Sequence, residues 1–103
     1  MTKILALYKK PGDATRFDQY YFSRHIPLAK KVPGLRKYEV SSGQILTPEG
    51  ESLTCHLAAI LSFDSMKAVQ EALVSPEGQA TAADLANFAQ AGVELLIFES
   101  REV

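Results

Sequence analysis

The sequence predicts an α+β fold of the ferredoxin-like kind, β-α-β-β-α-β, with a four-stranded antiparallel sheet. Three observations predict it. Strand-like and helix-like periodicities follow one another in that order. Glycine and proline breakers separate them. The first, third and fourth strands are apolar on both faces, although helices packed on one side of a sheet leave its other side bare. Bare apolar sheet in water is unfavourable by roughly 25 cal/mol per Å². A second copy stacked sheet against sheet would cover it, so a homodimer is expected.

Residues 4–8 read as the first strand, with Ile4, Ala6 and Tyr8 pointing one way and Leu5 and Leu7 the other. Lys9 to Asp13 is a loop containing Pro11 and Gly12. Thr15 is the expected N-cap of the first helix, with Asp18 three residues on in a capping-box-like position. Phe17, Tyr20, Tyr21, Arg24, His25 and Leu28 then recur every three or four residues and form one helical stripe. Pro27 disfavours helical geometry at Ile26 and lacks an N–H, so the helix should kink or end near His25. A short turn over residues 27–32, with proline first, should follow and stop at Pro33-Gly34.

Residues 35–42 alternate as a second strand, and 43–51 form a loop. Residues 53–63 are the clearest strand. Leu53, Cys55, Leu57, Ala59, Leu61 and Phe63 form one face; Thr54, His56, Ala58, Ile60 and Ser62 form the other. Asp64-Ser65 caps a helix carrying Met66, Val69, Ala72 and Leu73. Ser75-Pro76-Glu77 starts another, which runs to Ala91 and ends at Gly92. Residues 93–99 are the last strand.

The 103 residues fit one domain, 1–103. Hydrophobic content of 47% and charged content of 22% are those of a globular chain. A net charge of −1 supplies no field that would draw nucleic acid or an anionic membrane, so neither is expected as a partner. No apolar stretch is long enough to span a bilayer. One cysteine and no secretory leader point to a reducing cytoplasm.

His25 is the first candidate for chemistry. Its imidazole titrates near neutral pH, and the helical stripe places it where a pocket between helix and sheet would be lined. The alternative is a histidine hydrogen-bonded to backbone freed at the helix break. Tyr8, Tyr20, Tyr21 and Tyr38 offer flat faces and hydroxyls to a ligand, or simply fill the core. His56 is flanked by small residues and either lines a ligand space or lies at the surface. Asp84 either pairs with His25 or Arg24 or is an exposed helix carboxylate. Cys55, on an apolar face, reads as buried and inert. Two histidines separated by thirty intervening residues make no metal-ligand motif, and no phosphate loop or dinucleotide fingerprint is present, so no metal or cofactor is expected.

The opening "ILALYKKPGD", the helix "FDQYYFSRHIPLAKKVPGLRKYEV" and the later "SPEGQATAADLANFAQAGVELLIFE" together resemble the EthD family of the dimeric α+β barrel superfamily. The carrying features are an aromatic-rich first helix running into His-x-Pro and a later helix bearing Asp-Leu and Phe before the last strand. The resemblance implies a ferredoxin-like monomer that dimerises into an α+β barrel. It implies a small, partly apolar ligand, aromatic or polyketide-like, held between sheet and helices, in catabolic or secondary metabolism. His25 would move a proton in a cofactor-free isomerisation, dehydration or cyclisation, with Tyr8, Tyr20, Tyr21, Tyr38, His56 and Asp84 around the ligand. A non-catalytic binding or accessory protein of an oxygenase degradation pathway is the other expectation. A purely structural dimer would instead have a pocket well below roughly 300 Å³.

Overall fold

The computed structural model describes residues 1–51 and 55–103. The elements are β1 (Thr2–Lys9), α1 (Ala14–Tyr20), a π-helical turn (Tyr21–His25), α2 (Ile26–Ala29), β2 (Lys37–Val40), β3 (Cys55–Phe63), α3 (Met66–Val74), α4 (Pro76–Phe88) and β4 (Val93–Glu99). The strands form one antiparallel sheet in the order β2-β3-β1-β4. Leu53 and Thr54 of the expected third strand lie outside the described residues. β2 is shorter than expected, but Arg36 N–H to Ser62 O and Ser41 N–H to Ala58 O, each 2.8 Å, carry the pairing one residue further at both ends.

One face of the sheet packs on the helices. Ala6 and Tyr8 from β1 and Leu57 and Ala59 from β3 meet Phe17, Tyr21 and Phe88 in one cluster. Phe63 meets Val32, Val69 and Ala72 in another. The opposite face carries Leu5, Leu7, Ala58, Ile60, Leu96 and Phe98, by alternation along the paired strands. No described helix lies on it, and Leu96 and Phe98 are exposed.

Three local features depart from the sequence reading. The first helix is capped by Asp13, not Thr15: Asp13 is extended and its Oδ1 accepts from Arg16 N–H at 3.0 Å. Thr15 falls inside the first turn, and Asp18 turns away to pair with His56. Second, Pro27 does not end the helix. The chain widens into a π turn in which Ile26 N–H reaches Tyr21 O, five residues back. That wider turn takes up the missing donor and the ring bulk of proline, and α2 continues to Ala29. Third, β3 carries a bulge. Tyr8 pairs with Leu57 but Lys9 with Cys55, which leaves His56 as the extra residue. Cys55 therefore leaves the face of Leu57 and Ala59, where simple alternation had put it.

Ser65 caps α3 through Ala68 N–H (3.1 Å), and Ser75 caps α4 through Gly78 N–H (3.0 Å). α3 and α4 approach closely at Gly78, where a Cβ would sit 1.9 Å from Ala72 O. No described helix is long and apolar enough to cross a membrane.

Candidate functional site

The π turn stacks the rings of Tyr21 and His25 on one face, their centroids 5.4 Å apart. Both are buried, His25 at 3% exposure. Phe88 of α4 packs against both rings, its centroid 4.6 Å from the imidazole and 5.7 Å from Tyr21. One turn earlier on α4, Asp84 accepts a hydrogen bond from His25 Nδ1 on Oδ2 (2.9 Å). Its Oδ1 accepts from the Tyr20 hydroxyl (2.6 Å) and from Asn87 Nδ2 (2.9 Å). A carboxylate only accepts, so Nδ1 carries the proton. Nε2 is then the imidazole nitrogen with a lone pair, and it has no hydrogen-bond partner among the described residues.

Burial among these rings pulls the His25 imidazole below its ordinary value, against the opposing hydrogen bond and charge of Asp84. Burial acts to raise Asp84, but the hydrogen bonds from Tyr20, Asn87 and His25 outweigh it and hold the carboxyl below the ordinary carboxylate range. The pair is therefore a neutral imidazole on an ionised carboxylate near neutral pH. This is the arrangement of a general base whose tautomer is fixed by a second residue.

His25 lines a cavity of about 100 Å³ between sheet and helices, with Tyr8, Tyr38, Leu61, Leu85 and Leu95 among its walls. Leu73 and Leu95, also in the wall, are 45% and 52% exposed, so the cavity reaches the surface between α3 and the β4 edge. Tyr38 and Tyr21 share a hydroxyl–hydroxyl hydrogen bond of 2.6 Å. Burial raises the Tyr8, Tyr21 and Tyr38 phenols above their ordinary value, so they stay protonated.

Of the residues singled out from sequence, Tyr8, Tyr38 and His25 meet at the cavity. Tyr21 stacks on His25, and Asp84 with Tyr20 stands behind it. His56 does not join them. Its bulge turns it toward α1, where it meets the edge of Phe17 and the carboxylate of Asp18, in a different groove. Ala58, the small neighbour of His56 expected to leave room for a ligand, lies on the face that points away from the helices. Arg24 is exposed. Sequence reading missed Asn87 and Phe88 as site residues. Their spacing from Asp84, three and four residues on one helix, was the available signal. Among the described residues no cluster of three or more His, Cys, Asp or Glu is placed to hold a metal ion.

A ferredoxin-like α+β domain with an imidazole–carboxylate pair at an apolar cavity is the class that fold and site define. The chain belongs to the EthD family: the EthD domain model matches residues 9–92. It is 34% identical, over all of its length and 98% of the other's, to an uncharacterized 11.0 kDa protein of the thcB-thcC intergenic region of Rhodococcus erythropolis. It is similar to the crystal structure of an EthD-family protein of Bacillus halodurans (TM-score 0.88, 37% identity, 98% of this chain and 99% of that one). It shares the fold, at 17% identity, of SnoaB, a cofactor-independent oxygenase of Streptomyces nogalater (TM-score 0.70, 99% of this chain and 94% of that one).

Proposed function

We propose that this EthD-family protein binds a small, partly apolar molecule at the His25 cavity and that His25 moves a proton on it without a metal or organic cofactor. The observation that carries this reading is the Asp84-held imidazole lining an apolar cavity. Nε2 is the base, Asp84 fixes its tautomer and would stabilise the imidazolium as it forms, and Tyr8 and Tyr38 supply hydroxyls along the wall. The fold is compatible with such chemistry, since SnoaB is a cofactor-independent oxygenase.

The cavity size limits the ligand. At about 100 Å³ it falls short of the roughly 300–1,000 Å³ of drug-sized sites. It takes a few heavy atoms, or the reacting end of a larger molecule whose remainder leaves past Leu73 and Leu95. An aromatic or polyketide-like molecule would enter only in that second manner. This small volume also favours a second reading, a non-catalytic binding or accessory protein of a degradative oxygenase pathway, and it is the volume expected of a purely structural dimer.

The protein is read as one domain over 1–103, acting in the cytoplasm as a homodimer whose bare sheet faces stack into a barrel. Exposed Leu96 and Phe98 on that face support the dimer.

Native mass spectrometry of co-purifying ligand, followed by turnover of that ligand by wild type and His25→Gln, tests the reading. Loss of turnover with binding retained and with unchanged unfolding supports a catalytic His25. Full turnover in the variant refutes it. Binding without turnover by either protein supports the accessory reading.

A further inference from the structure

We infer that the groove between α1, the π turn and the end of β2 is a second small-molecule site, built for an aromatic ligand carrying a neutral hydroxyl, a simple phenol. It is separate from the His25 cavity and does not rest on the proton-transfer reading.

The groove is about 580 Å³, within the range of small-molecule sites, and its walls include Asp18, Phe22, Ser41, Ile45 and His56. The β3 bulge is what puts His56 there. In an unbroken strand its side chain would lie on the face opposite Leu57, away from the helices. As the extra residue it turns to the helix side, and bulges re-aim side chains in this way beside functional sites.

Two contacts then hold the ring. It stands edge-on to Phe17, centroids 5.0 Å apart at 86°, and Nε2 lies 2.8 Å from Asp18 Oδ1. The carboxylate accepts, so the Nε2 proton points at Asp18 and a neutral imidazole presents the Nδ1 lone pair. Nδ1 has no partner among the described residues. An oriented acceptor of this kind suits a hydroxyl donor. Lys10 also lines the groove, so its wall carries both signs of charge, and the selectivity rests on the oriented acceptor.

Phe22 supplies the apolar half of the site. It is 50% exposed while its helical neighbours Tyr21 and His25 are buried, and it lines this groove. Val40, Ile45 and Leu57 add aliphatic wall. A flat ring with one hydroxyl covers the phenylalanine and meets the imidazole.

The test is an amide-shift titration of the full-length protein with 4-methylphenol. Saturable shifts centred on Asp18, Phe22, Ser41, Ile45 and His56 are expected. 4-Methylanisole, which lacks the donor, should bind at least about tenfold more weakly, about 1.4 kcal/mol. His56→Phe and Phe22→Ala should weaken 4-methylphenol by a similar factor, and His25→Gln should not. No saturable shifts, shifts centred on the His25 cavity, or equal affinity for the two ligands would overturn the proposal. The ligand series uses the wild-type chain, so it decides the matter even where a variant fails to fold.

Discussion

Replacing Asp84 with asparagine changes one atom and removes the acceptor on which three donors converge. Asp84 takes hydrogen bonds from Tyr20 at 2.6 Å and from Asn87 and His25 at 2.9 Å each. An asparagine offers one carbonyl oxygen and one NH2 group. If the oxygen serves Tyr20 and Asn87, the NH2 faces the Nδ1 proton of His25, donor against donor. The imidazole then flips tautomer or loses its partner while 3% exposed. Hydrogen bonds to a charged group contribute about 1.5–3 kcal/mol, and an unmet buried donor costs about 1–3 kcal/mol. The side chain of Asp84 is itself only 10% exposed, so solvent compensates little. We expect Asp84→Asn to lose about 2–3 kcal/mol of stability. Equilibrium urea unfolding at fixed protomer concentration measures it. A loss below about 0.5 kcal/mol, the range of an ordinary surface change, would refute the claim that Asp84 anchors the site.

Gly78→Ala forces a Cβ to 1.9 Å from the Ala72 carbonyl oxygen and should destabilise by about 1–3 kcal/mol in the same unfolding assay. Acid should weaken the fold in two stages. The unfolded chain protonates His25 at its ordinary 6.5 while the folded chain resists, so stability falls as pH drops below 6.5; Asp84 adds a second loss below its ordinary 3.8. Melting temperature against pH checks this, and His25→Gln should remove the upper stage. Alkali acts with the opposite sign: the raised phenols of Tyr8, Tyr21 and Tyr38 give stability that is whole below pH 10 and is lost as pH rises beyond it. Phe98→Glu should convert a homodimer to monomer in light scattering, because a carboxylate would then be buried on the stacked sheet face.

The element order was legible because it rests on local signals: period-two runs, period-three-to-four runs and breakers. Pro27 announced an interruption near His25, yet the outcome depended on whether the turn could widen, and packing of Tyr21 and His25 against Phe88 rewards the widened form. The β3 bulge was not legible, since an extra residue exists only relative to a partner strand. It misplaced Cys55 and His56 together. The Asp84–His25 contact joins residues fifty-nine apart, and only the docking of α4 on the π turn settles it. Cavity volume depends on how Leu61, Leu85 and Leu95 fill the space beside Tyr8, which no pattern of residue types records.

The central claim is that Asp84 fixes a neutral His25 with its lone pair on Nε2. Long-range proton–nitrogen spectra of ring-labelled histidine near neutral pH read the tautomer directly. The account predicts a protonated Nδ1, an unprotonated Nε2 and a titration midpoint below the ordinary imidazole value. A protonated Nε2 near neutral pH, alone or as part of an imidazolium, would contradict it.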